Sequence, residues 1–210
     1  MLLLLFFNKV NICACHHQNY LIKTKNDKCS FAYKKIAIIN GEGTSASQRA
    51  YDLALCEYST CLFVDSDRLD EWKISESKLI NKKVSIIRWQ NRNNTEMQLF
   101  ADLPKNKIKD VIDIVIKEIG IDGQTVLQSI NSVLKTKLNT LEGIATYPDE
   151  DLPTLRISVA RSAKDNNWFK NITAGEILGE YLFNGILEEI KTTEFYKTFE
   201  KVKKWAINEQ

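Results

Sequence analysis

Two carboxylates, Asp65 and Asp67, follow the apolar run Cys61-Leu62-Phe63-Val64 without a break. A short run of that kind is a buried strand, so the pair leaves the strand end on alternate positions and a loop can turn both toward one cation. A few oxygen ligands suit a hard ion such as Mg²⁺ or Mn²⁺, which keeps part of its water shell. The plainer role for the same residues is a helix cap and a solvated turn. A third acid bears on the choice. Glu96 comes after a second apolar run, Val84 to Trp89, and the polar loop Gln90-Asn91-Arg92-Asn93-Asn94, where the end of a neighbouring strand would present it to the same edge. Several carboxylates at one edge are what hydrolysis of a phosphodiester by paired cations requires, one cation activating water and the other steadying the leaving oxygen.

Parallel strands are needed to bring these acids together. Ile36-Ala37-Ile38-Ile39 ends in Asn40-Gly41-Glu42-Gly43, and a helical stretch through Ala46, Ala50, Leu53 and Ala54 follows. With the strand that ends at Asp65 and a third at Val84-Ser85-Ile86-Ile87, the order predicts βαβ units and an α/β fold with a Rossmann-like, mostly parallel sheet. Such sheets bind ligands at strand carboxyl ends, where Gly41 to Thr44 and Asp65 to Asp67 would both lie. After Pro104 helical periodicity takes over. Ile108, Val111, Ile112, Val115 and Ile119 form one stripe, and Val126, Leu127, Ile130, Val133, Leu134 and Leu138 another. Leu155 to Val159 reads either as a short edge strand or as the first turn of a helix. Thr173-Ala174-Gly175-Glu176 has the form of a capping box opening one helix with a buried face from Ile177 to Ile190. A last helix buries Phe195, Phe199, Val202 and Trp205 and leaves Lys197, Lys201, Lys203 and Lys204 wetter. The expected organisation is a poorly ordered leader over 1–33, an α/β core over 34–104 and a helical extension over 105–210 packed on that core.

Composition narrows the function classes. Of 210 residues, 44% are hydrophobic and 27% charged, with 8 Gly and 3 Pro, which excludes collagen-like, low-complexity and polytopic membrane chains. Lys plus Arg number 29 and Asp plus Glu 27, a net charge of +2, so a surface that binds a polyanion must be local. The cysteines Cys13, Cys15, Cys29, Cys56 and Cys61 form no CxxC pair, which fits thiols in a reducing compartment, the cytoplasm. The apolar start, Met1 to Phe7, has no basic residue ahead of it and is far shorter than the ~20 residues of a membrane span, so no membrane partner is expected. Cys13, Cys15, His16 and His17 are soft-metal ligand types without a scaffold or further ligands, and they read as a plain terminus.

At four places in order the sequence resembles the TOPRIM (topoisomerase-primase) domain of the OLD (overcoming-lysogenization-defect) family of ATP-dependent endonucleases. These are Ile39-Asn40-Gly41-Glu42-Gly43 ahead of a helix, Cys61 to Asp67, the stretch Thr95 to Pro104, and Asn167-Trp168-Phe169-Lys170 ahead of Gly175-Glu176-Ile177-Leu178-Gly179. The resemblance covers residues 36 to 190. It implies a TOPRIM-like core, a metal-dependent DNA endonuclease with Asp65, Asp67 and Glu96 as ligands of Mg²⁺ or Mn²⁺, and a late lysine, Lys170 or Lys164, that assists cleavage. It also implies an ATPase domain or subunit as partner, self-association and a role in defence against phage. In that family a first strand ends in Glu-Gly, which supplies an acid/base carboxylate, and another strand and helix precede the DxD. Glu42-Gly43 stands too close to Asp65 for that place. The resemblance therefore implies a chain without the family's first strand and its glutamate, truncated or one piece of a split protein, and weak as a nuclease alone. No GxxxxGK[ST] phosphate loop occurs, so the ATPase half is not in this sequence.

Two other readings compete. One is a TOPRIM-like module without hydrolysis, kept for oligomerisation or for docking DNA beside a partner ATPase. The other is a receiver or small hydrolase, which also gathers acids at strand ends; the receiver fails on order, because its acids belong near the first strand and no lysine strand follows Asp67.

Overall fold

The computed structural model describes residues 2–6, 35–41, 43–169 and 172–208. Four strands, β1 (Leu2–Phe6), β2 (Ile36–Asn40), β3 (Ser59–Val64) and β4 (Ser85–Arg88), form one parallel sheet in the order β2-β1-β3-β4. Helices follow in chain order: α1 (Ala46–Leu55), α2 (Glu76–Asn81), α3 (Thr95–Asp102), α4 (Lys105–Ile114), α5 (Gly123–Val133), α6 (Leu152–Asp165), α7 (Ile172–Glu180), α8 (Leu187–Ile190) and α9 (Glu194–Asn208). The expected α/β class with a parallel sheet is present.

β1 overturns part of the expected leader. Leu2 pairs with Ile36 on one side and with Ser59 on the other, and the register continues to Phe6, so this strand sits inside the sheet. The physical reason is legible afterwards: inner strands of parallel sheets commonly read as unbroken apolar runs, and Leu2-Leu3-Leu4-Leu5-Phe6 is one. Residues 7–34, with the cysteine–histidine cluster, lie outside the described residues. The expectation that no strand precedes β2 therefore falls. The sequence after β1, Phe7-Asn8-Lys9, still carries no glutamate.

β3 shows why the sheet has two covers. Its side chains alternate, as strand geometry requires. Leu62 and Val64 pack with Ala46, Ala50, Leu79 and Val84 on the face covered by α1 and α2. Cys61 and Phe63 face the other way, into a larger core with Ile87, Trp89, Leu99, Phe100 and the apolar stripes of the later helices. α9 lies on that face, and its first turn is tied to the end of α3 by the Phe195 N–H donating to Asp102 Oδ2 at 2.7 Å.

Several local expectations are corrected. α4 runs into a π-helical turn, Val115–Ile119, that stops at Gly120 with φ +77°. α5 ends at Val133, so Leu134 and Leu138 are buried from the connection rather than from the helix. Leu155 to Val159 lies within α6. Thr173 is inside α7 and not its cap, and a π-helical turn at Tyr181–Gly185 divides the single expected helix into α7 and α8. Among the described residues no helix is long and apolar enough to cross a membrane.

Candidate metal and phosphate site

The strand order reverses between β1 and β3, since β2 lies outside β1 and β4 outside β3. Open α/β sheets bind ligands at such a point, outside the strands' carboxyl ends. Asp65 is the first residue beyond β3, and a cleft of about 140 Å³ opens beside it. Gly43 and Thr44 come to this cleft from the turn after β2, Asp65, Asp67 and Arg68 from the loop after β3, Trp72 from the same connection, and Lys164 from α6. Gly43 has φ +61°, a conformation that L side chains rarely adopt, and nothing lies within 4 Å of where a Cβ would stand. The turn therefore leaves its backbone open to a ligand.

Each acid is held by one oxygen. Half-buried Asp65 accepts, on Oδ1, the Thr95 N–H at 2.9 Å and the Thr95 hydroxyl at 3.0 Å. That hydroxyl in turn accepts the Trp89 Nε1–H at 3.0 Å, which ties the acid to the core. Asp67 Oδ2 accepts the Lys164 ammonium at 2.9 Å, with Asn94 Nδ2 3.5 Å from the same oxygen. Between the two acids, Ser66 donates its N–H and its hydroxyl to Asn93 O, at 2.9 and 3.1 Å. Asn93 closes a turn on Gln90 O at 2.9 Å through Asn91 and Arg92, whose φ values are +55° and +58°. A left-handed arginine is costly by about 1 kcal/mol or more, and such strain concentrates beside functional loops.

Lys164 is aimed by helix packing. Arg156, early in α6, donates through Nη1 to Phe100 O and, at 2.8 Å, to Ala101 O at the far end of α3. Two turns later Lys164 reaches Asp67 at the near end, so α6 runs antiparallel to α3. α5 steadies α6 through the Ser158 hydroxyl on Ile130 O and Asn166 Nδ2 on Ser129 Oγ at 3.0 Å.

The predicted residues are thus gathered in part. Asp65, Asp67 and Lys164 share the cleft. Glu96, in the first turn of α3, is only 1% exposed and does not line it, although its charge is felt at Asp65. The sequence places Glu96 after β4, but the helix that starts at Thr95 turns it inward. Lys170 and Glu42 lie outside the described residues. Trp168 and Phe169 are 0% and 5% exposed and belong to the core, Trp168 meeting Phe100 edge-on with ring centroids 6.4 Å apart. Arg68 and Trp72 escaped the sequence reading. Arg68 could have been found from its place directly after Asp67, whereas nothing local marks Trp72.

The residues fit one hydrated cation better than a pair. Among the described residues, no three Asp, Glu, His or Cys side chains are gathered as a ready-made metal cage. Mg²⁺ commonly takes one or two carboxylates and fills its shell with water and substrate phosphate. Among the described residues lining the cleft, Asp65 Oδ2 and Asp67 Oδ1 are the carboxylate oxygens without a protein donor.

Burial lifts the Asp65 carboxyl to about 6, the charges of Glu96 and Asp67 add to the rise, and the Thr95 hydrogen bonds oppose it. The native state therefore binds this proton more tightly than the unfolded chain does. Its stabilising effect is present at low pH and is lost as pH rises from about 4 through about 6, on the order of 2–3 kcal/mol. Urea unfolding of wild type and Asp65→Asn across that range should show the difference, with the variant lacking this loss and gaining on wild type as pH rises. Parallel stability curves would rule the shift out.

No protein-family model, curated protein or solved structure matches the chain.

Proposed function

We propose that this chain is a metal-dependent DNA endonuclease module of the TOPRIM type found in OLD-family proteins. The observation that carries the reading is the pairing of Asp65 and Asp67 at the end of β3 with Lys164, in a cleft at the reversal of strand order. Asp65 and Asp67 would hold Mg²⁺ or Mn²⁺, which when bound supplies Lewis acidity toward a phosphoryl oxygen and a more acidic bound water. Lys164 lies where an ammonium can balance the charge that grows on a phosphodiester during cleavage. Thr95 and Trp89 fix the orientation of the Asp65 carboxylate, and Glu96 keeps the local field negative enough to favour a cation. ATP hydrolysis, in this reading, comes from a partner domain or subunit.

The test is nicking of supercoiled plasmid and cutting of labelled oligonucleotides by the purified chain across Mg²⁺, Mn²⁺ and chelator. Slow cleavage that needs the cation, strongest with Mn²⁺, is expected. A second reading, a TOPRIM-like module that docks DNA or self-associates without cutting it, is favoured by the lack of a glutamate after β1. Cation binding and DNA binding without any cleavage would establish that reading, and the absence of both would overturn the nuclease assignment.

A further inference from the structure

Of the four tryptophans, Trp89, Trp168 and Trp205 are 1%, 0% and 8% exposed and serve the core. Trp72 packs against the smaller core on the α1 and α2 side of the sheet and also borders the cleft. It is half-buried, and among the described residues it contributes the only aromatic ring to a cleft whose other lining side chains are Thr44, Asp65, Asp67, Arg68 and Lys164.

The chain on either side holds this ring in place. The Trp72 N–H donates to Leu69 O at 3.3 Å. The next two residues are pinned to the start of α1, Lys73 Nζ donating to Ser45 Oγ at 3.3 Å and the Ile74 N–H to Ser47 Oγ at 3.2 Å. Those serines follow directly on the Gly43 turn, which forms another part of the same cleft. An aromatic ring lining the same small cleft as paired carboxylates and two cationic side chains, Lys164 paired with Asp67 and Arg68 with Glu71, matches the parts of a nucleotide: a flat base for the ring, and a phosphate that would draw the two cations from their carboxylate partners.

We propose that Trp72 is a base-stacking platform and that the cleft takes a nucleotide of single-stranded DNA, its base unpaired. This rests on the reading of the acid pair as a phosphodiester site. In an intact duplex both faces of every base are covered by neighbouring bases, so a protein ring meets a base face only where the strand is single or the base has left the stack. A cleft of about 140 Å³ is of the order of one base in size. Stacking on an aromatic side chain tolerates any base, so the expected preference is for strandedness and not for sequence.

Tryptophan emission of the whole chain reports on this directly, since Trp72 is the ring a ligand can reach. In Ca²⁺ or chelator, a short oligothymidylate should quench the emission, and a blunt-ended duplex without a loop should quench it far less. Trp72→Ala should bind the labelled oligonucleotide about tenfold more weakly by anisotropy. Trp72→Phe should keep most of the affinity and lose the quenching, and it serves should the alanine variant fail to fold. Unchanged emission with bound oligonucleotide, equal affinity of wild type and Trp72→Ala, or equal binding of blunt duplex and single strand would overturn the proposal. The same samples separate it from the nuclease reading. Mn²⁺-induced thermal stabilisation with silent emission removes only the stacking role. Quenching without any response to Mg²⁺ or Mn²⁺, and without cleavage, leaves a single-strand docking site and removes the nuclease.

Discussion

Replacing Asp65 and Asp67 together by Asn should abolish the thermal stabilisation produced by millimolar Mg²⁺ or Mn²⁺ and reduce DNA cleavage at least about a hundredfold. A ligand that binds only the native state stabilises it by mass action, by about 2.7 kcal/mol at a hundred times its dissociation constant, and these two residues carry the carboxylate oxygens left for a cation in the cleft. Removal of one preorganised electrostatic group commonly costs a factor of about 10² to 10³ in rate. Lys164→Met makes the contrast that identifies the roles. It removes the ammonium 2.9 Å from Asp67 Oδ2, so the carboxylate pair becomes more negative and the cation should bind at lower concentration while cleavage falls. A thermal shift that survives in the double Asn variant would place the cation elsewhere. Weaker cation binding in Lys164→Met would mean that the lysine shapes the site rather than competing for its charge.

The acid pair was legible because it ends the apolar run that became β3, and period and punctuation are what a sequence displays most directly. The same is true of α9, whose Phe195, Phe199, Val202 and Trp205 are buried as their spacing requires. β1 was not legible, because a run of Leu at the start of a chain carries no alternation and no turn ahead of it, and only its pairing partners reveal that it is a strand. The inward turn of Glu96 was hidden for a different reason. It depends on where α3 begins, and that start joins a local cap, Asn94 Oδ1 accepting the Met97 N–H at 2.9 Å, to a long-range one, Asp65 accepting the Thr95 N–H. Helix boundaries fixed by long-range caps cannot be read from local pattern. Lys164 was a candidate by resemblance, but its place beside Asp67 follows from the antiparallel packing of α6 on α3, and Trp72 became visible only when the cleft did.

Trp89→Ala should cost about 3–5 kcal/mol of stability, as truncation of a large buried aromatic side chain does. The ring is 1% exposed and stacks on Phe195 with centroids 5.3 Å apart and planes 4° from parallel. It also meets Phe63 and Phe199 edge-on at 5.2 and 5.5 Å, so its removal opens the aromatic cluster that joins β3, β4 and α9. A domain of ordinary stability, about 5–15 kcal/mol, loses a large share of its margin by this change. The site should feel it as well, because the indole N–H that orients the Thr95 hydroxyl toward Asp65 is lost with the ring. Trp89→Phe separates the two effects. It keeps an aromatic ring in the cluster while removing the donor and part of the indole, so it should lose about 1–2 kcal/mol in urea unfolding and still free the Thr95 hydroxyl from its anchor. Thr95→Val then removes the hydroxyl that holds down the Asp65 carboxyl, whose titration should move above about 6, taking cation binding to higher pH with it. A loss below about 1 kcal/mol in Trp89→Ala would show that the cluster repacks freely. In that case the link from the core through Thr95 to the acid pair would not be what holds Asp65 in position.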